Sequence, residues 1–178
     1  MGVPKLKNHS IMEILKIAVE WAKAEVFSSR FFIFFALLFI LASIGFWQLG
    51  KTEMAKAYII PTLVAGILLL TVGVGIFFAN KSRVTSFEKA YNASSTDFIT
   101  SELERTEKSI GEYRTIVFKI IPFIIVAAAL TIVFVDKPIW RAICITTISM
   151  MMVILLVDSN ANARIESYKK QLEMAVKN

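Results

Sequence analysis

Apolar and polar positions fall in long blocks along this chain. Four apolar runs occupy 31–50, 57–80, 115–135 and 138–157, each close to the roughly 20 residues a helix needs to cross a bilayer. They come in two pairs. Gly50–Lys56 joins the first pair and Asp136–Lys137–Pro138 the second. Between the pairs lies one long polar interval, Asn80–Lys119. This pattern predicts an all-α membrane protein with four transmembrane helices in two hairpins, an N-terminal amphipathic helix and cytoplasmic helical extensions. The expected segments are 1–30, 31–80, 81–114, 115–157 and 158–178.

Helical spacing extends the pattern into the polar segments. In 1–30, Ile11, Ile14, Leu15, Ala18, Trp21, Ala22 and Val26 share one face, opposite Glu13, Lys16, Glu20 and Lys23. That is an amphipathic helix, opened by a capping box at Ser10–Glu13. Its apolar face has two destinations. It either lies on the inner leaflet, with Trp21 at headgroup depth, or packs on the protein's own cytoplasmic helices. In 81–114, Arg83, Phe87, Ala90 and Tyr91 continue the helix out of the second span, and the cap-forming run Asn92–Asp97 breaks it. A new helix is expected from Ser95 or Thr96, striped by Ile99, Leu103, Thr106 and Ile110. The tail repeats the device with Ile165, Tyr168, Leu172 and Val176. Arg83, Phe87, Tyr91, Ile99, Leu103 and Ile110 are the expected partner surface.

Within the spans, Thr71, Gly75 and Ala79 recur every four residues and form a small-residue ridge suited to close helix approach, with Gly66 and Gly73 beside it. Pro122 removes a backbone donor and is expected to kink the third span at its start. The rings of Phe31, Phe32, Phe34, Phe35 and Phe39 read as lipid-facing or interhelix packing. Met150, Met151 and Met152 point in different directions around a helix and read as packing filler rather than a metal site.

Composition agrees with the blocks. The chain of 178 residues is 56% apolar, with mean hydropathy +0.64 and net charge +6. Of 20 Lys and Arg residues, Lys51, Lys56, Lys137 and Arg141 lie in or beside the two short turns, and the other sixteen lie in the flanking and middle segments. Positive charge collects on the cytoplasmic side, so both termini and the middle segment are expected there, in a bacterial inner membrane. Trp47, Tyr58, Trp140 and Arg141 would then anchor the outer face. Lys119, one turn inside the third span, would snorkel to the inner headgroups. The basic excess reads as orientation rather than nucleic-acid binding.

The chemistry of the chain narrows its function. One cysteine, Cys144, and one histidine, His9, make neither a disulfide nor a metal site. No ionisable residue lies mid-span, where pumps and coupled transporters carry theirs. No phosphate-binding loop, nucleophile elbow or zinc-protease motif is present. Met-Gly at the start lacks the Ser or Thr at position 6 that myristoylation uses. Glu102, Glu104, Glu107 and Glu112 alternate with Arg105 and Lys108 and read as a solvated helix face. Arg83–Lys89 parallels Arg164–Lys170 in spelling, an internal echo of the two hairpins. The expectation is a non-enzyme without cofactor, acting through protein contacts of its cytoplasmic helices as an anchor, regulator or toxin-immunity factor. Its partners are expected to be the lipid bilayer, further copies of itself and a cytoplasmic or membrane protein. An oligomeric channel or membrane-permeabilising effector is the alternative, and a membrane-shaping hairpin protein the third reading.

Overall fold

The computed structural model describes residues 8–177, with side chains described from Glu13 to Met174. Every regular element among them is helical: α1 (Asn8–Leu49), α2 (Glu53–Ala57), α3 (Ile59–Ala93), α4 (Ser95–Thr115), a π-helical turn (Ile116–Ile120), α5 (Ile121–Phe134) and α6 (Pro138–Lys177). The expected capping box at Ser10 and the end of the tail stripe at Val176 lie outside the described side chains. Four helical stretches, Glu13–Leu49, Glu53–Ala93, Ser95–Phe134 and Pro138–Met174, are long and apolar enough to cross a membrane.

α1 runs from the amphipathic stretch into the first apolar run without interruption, because no proline or strained glycine intervenes. The capped break in 92–97 narrows to Ser94. Its extended backbone ends α3, and its hydroxyl accepts from the Asp97 amide at 3.3 Å to start α4. Thr52 caps α2 in the same way, accepting from Ala55 at 3.1 Å. Pro122 falls just after the π turn, at the second position of α5. The wider π turn takes up the missing proline donor, so the chain continues from α4 into α5.

Two cores divide the molecule. In the apolar part, Phe32 and Ala36 of α1, Leu69 of α3 and Val153 and Val157 of α6 are packed together. α1 and α3 pair along their length. A Cβ at Gly66 would come within 3.0 Å of the Ala36 carbonyl oxygen, and one at Gly73 within 2.8 Å of the Phe32 Cβ. These two glycines are where the backbones approach. Ser43 Oγ donates to the Ile59 carbonyl at 2.7 Å and pins the far end of this hairpin. α5 packs chiefly on α6.

The second core joins the four polar extensions into a helical bundle. It contains Ile14, Ala18, Trp21 and Ala22 of α1, Phe87 and Tyr91 of α3, Phe98, Ile99 and Ile110 of α4, and Ile165, Tyr168 and Leu172 of α6. Large exposed apolar side chains occupy two blocks, Phe27–Phe78 and Ile116–Leu156, with Met174 the one outlier among the described residues.

Candidate functional site

The apolar stripe of α1 does not end at Ala22. One turn on, the same face presents Glu25, Ser28 and Ser29, all buried, before it becomes apolar again at Phe32 and Ala36. α3 does likewise at Asn80 and Arg83, α4 at Arg105, Ser109 and Tyr113, and α6 at Asp158. Together they line a half-open polar cavity of about 160 Å³ between the two cores, with Trp21, Phe32, Ile76, Val157, Ala161 and Ile165 also in its wall.

Charge within the cavity is ordered by helix. α1 and α6 supply carboxylates, Glu25 and Asp158. α3 and α4 supply guanidiniums, Arg83 and Arg105. Two of the four are neutralised from behind. Arg164 donates to Glu25 at 2.9 Å. Glu102, 5% exposed, accepts from Arg105 through both oxygens at 2.8 and 2.6 Å, and from the Tyr168 hydroxyl at 2.9 Å. Arg83 donates to the Asn80 side-chain oxygen at 2.7 Å and makes no ion pair among the described residues, and neither does Asp158. One free cation and one free carboxylate therefore face the same small space.

Burial and the neighbouring Glu25 charge push the Asp158 carboxyl up to about 6. Burial lowers the Arg83 guanidinium, and the like charge of Arg105 adds to it. Burial first, and Asp158 and Glu25 next, raise the Tyr113 hydroxyl, which stays a neutral donor. The Trp21 indole N–H is buried with no hydrogen-bond partner. Its ring stacks on Tyr168 at 5.3 Å, and the Arg105 guanidinium lies over the ring at 4.3 Å.

The structure places the residues singled out in the sequence in different parts of the molecule. Arg83 and Trp21 reach the cavity, and Trp21 packs on the bundle, the second of its two expected destinations. Phe87, Tyr91, Ile99 and Ile110 are core, and Leu103 packs against them. The expected partner surface is thereby corrected: its apolar members are covered by α1 and α6 of the same chain. Thr71, Gly75 and Ala79 face outward, with nothing near a Cβ at Gly75, whereas Gly66 and Gly73 lie beneath α1. Trp47 and Trp140 are exposed at the ends away from the bundle, where Tyr58 stacks on Phe46 at 5.1 Å and Arg141 pairs with Asp136 at 3.0 Å. Lys119 is exposed on the π turn that precedes Pro122.

Glu25, Ser28, Ser29, Asn80 and Asp158 were not selected from sequence. The signal was there for Glu25, which follows Trp21 by one helical turn and so sits on the buried stripe. Glu102 corrects the reading of the α4 glutamates as a solvated face. Among the described residues no three His, Cys, Asp or Glu side chains gather to hold a metal ion. No family model, no curated protein and no solved structure matches this chain.

Proposed function

We propose that this chain is a four-pass integral membrane protein of non-enzymatic character, with the helical bundle and both termini in the cytoplasm. It works through protein contacts made by that bundle, as an anchor, a regulator or a membrane-based immunity factor. The observation that carries the reading is the division of its surface. Large apolar side chains are exposed along the four apolar segments, which water would penalise and lipid tails would cover. The bundle presents charge instead. Lys16, Glu20 and Lys23 of α1, Glu104, Lys108 and Glu112 of α4 and Lys170 of α6 are exposed. Because the bundle's apolar stripes are already spent on its own core, partner recognition falls to this charged rim. Self-association falls to the outward ridge of Thr71, Gly75 and Ala79.

Site-specific photo-crosslinking from positions 20, 108, 112 and 170 tests the reading. A partner captured at adjoining positions, and lost on Lys108→Glu with Glu112→Lys while the helical signal is kept, is the expected result. Ion flux through purified protein in liposomes, with no position yielding a crosslink, would replace this reading with the channel.

A further inference from the structure

We propose that the cavity between the two cores is a binding site for a small zwitterion of the phosphoethanolamine type, its ammonium against Glu25 and Asp158 and its phosphate against Arg83 and Arg105.

Charge sets the class of ligand. Arg105 and Glu25 are each compensated by a partner outside the cavity, Glu102 and Arg164. What remains is one unit of positive charge on the α3–α4 side, at Arg83, and one of negative charge on the α1–α6 side, at Asp158. Both are half-buried, and partial loss of water favours a partner for each charge. These two share a cavity and form no ion pair with each other. A ligand that carries both charges satisfies both at once: the phosphodiester headgroup of a lipid is neutral overall, and the free phosphomonoester brings up to one further negative charge, which faces the two guanidiniums. An anion alone would leave Asp158 and Glu25 repelling it, and a cation alone would face Arg83 and Arg105.

Donor geometry sharpens the chemistry. A guanidinium recognises phosphate oxygens through its planar fork. A primary ammonium has three donors for two carboxylates. Trp21 lines the wall and its indole N–H is buried without a partner; burial keeps the Tyr113 hydroxyl, also in the wall, protonated to donate. Size fits too. A cavity near 150 Å³ holds a molecule as large as benzene, and the 160 Å³ here matches phosphoethanolamine better than its bulkier trimethylated relative.

The same headgroup exists free in water and on membrane lipids. Placement of the cavity at the inner headgroup level rests on the four-pass reading above; recognition of the free zwitterion does not. The experiment separates the two. In a Trp47→Phe, Trp140→Phe background Trp21 is the sole tryptophan and reports on the cavity. Its emission is titrated with phosphoethanolamine, ethanolamine, inorganic phosphate, glycine and phosphocholine in detergent. It is then compared in nanodiscs of phosphatidylethanolamine and of phosphatidylglycerol. The expected result is a saturable change with phosphoethanolamine, weaker with phosphocholine and absent with ethanolamine or phosphate alone. A response in phosphatidylethanolamine nanodiscs without one to the free compound assigns the lipid as source, and the reverse assigns the free compound. Arg83→Gln and Asp158→Asn each weaken binding roughly ten- to hundredfold, while Arg83→Lys keeps part of it. An equal response to phosphate or to ethanolamine alone, a response to glycine only, or no response in any arm overturns the proposal, and these comparisons need no cavity variant to fold.

Discussion

Glu102 connects three helices through side chains alone. On α4 it binds Arg105 with both oxygens and accepts the Tyr168 hydroxyl from α6. Arg105 and Tyr168 then both pack on the Trp21 ring on α1. Removing one partner from a buried pair leaves the other charge uncompensated, at a cost of about 3–5 kcal/mol. Glu102→Ala is therefore expected to destabilise the bundle by roughly that amount. Tyr168→Phe, which deletes one hydrogen bond and keeps the stack, should cost about 1 kcal/mol. Thermal unfolding in detergent, followed by circular dichroism, checks both. Asp158 governs the response to pH. Its carboxyl is raised to about 6 in the folded protein, above the usual value near 4 of an unfolded aspartate. The folded state thus binds the extra proton between these two values, and stability falls as pH rises through that window. The midpoint of unfolding should climb on acidification from pH 7 to 5, and Asp158→Asn should flatten that climb. A slope unchanged in the variant would assign it to another group.

At the level of elements, the glycines of α3 have two different jobs although they share one helix. Gly66 and Gly73 admit the α1 backbone, and Gly75 faces open space. Gly73→Leu forces a side chain into Phe32 and Ile33, and an overpacked contact costs about 1–3 kcal/mol. It should open the α1–α3 hairpin, read as a lowered unfolding temperature and faster proteolysis between Lys51 and Lys56. Gly75→Leu should leave that temperature unchanged. If the outward ridge mediates self-association, it should also reduce oligomer size by light scattering; an unchanged size removes the ridge as an interface. The π turn and Pro122 form another paired device. A proline inside a long helix normally bends it, and here one wider turn absorbs the missing donor, so that α4 of the bundle stays joined to α5.

On the scale of the whole molecule, bundle and apolar segments are built from the same four rods. α1, α3 and α6 each pass through both cores, and α4 continues into α5. Movement at the bundle has no hinge loop in which to dissipate. Deleting 83–112 would remove Phe87, Tyr91, Phe98, Ile99 and Ile110 from the core, so that change is expected to unfold the bundle rather than excise a docking segment. The four-pass reading predicts a two-sided labelling pattern. In a Cys144→Ser background, single cysteines at Lys51 and Lys137 should react with an impermeant thiol reagent from one side of sealed vesicles, and cysteines at Lys108 and Lys170 from the other. Labelling of all four from one side would remove the topology.

The four apolar helices, the cap that divides α3 from α4 and the stripes on α1, α4 and α6 were legible in the residues themselves. Length of an apolar run, cap chemistry at Ser94 and a spacing of three to four are local properties that any window of the chain contains. What covers each stripe is not local. Trp21 was equally suited to a lipid surface and to a protein core, and Phe87, Ile99 and Ile110 to a partner and to their own bundle. Only contacts between residues far apart in sequence, such as Trp21 with Tyr168 and Glu25 with Arg164, decided between them. The charged cavity belongs to the same class. Glu25, Arg83, Arg105 and Asp158 each look like an ordinary charge at the end of an apolar run, and they become a site because four helices bring them to one level.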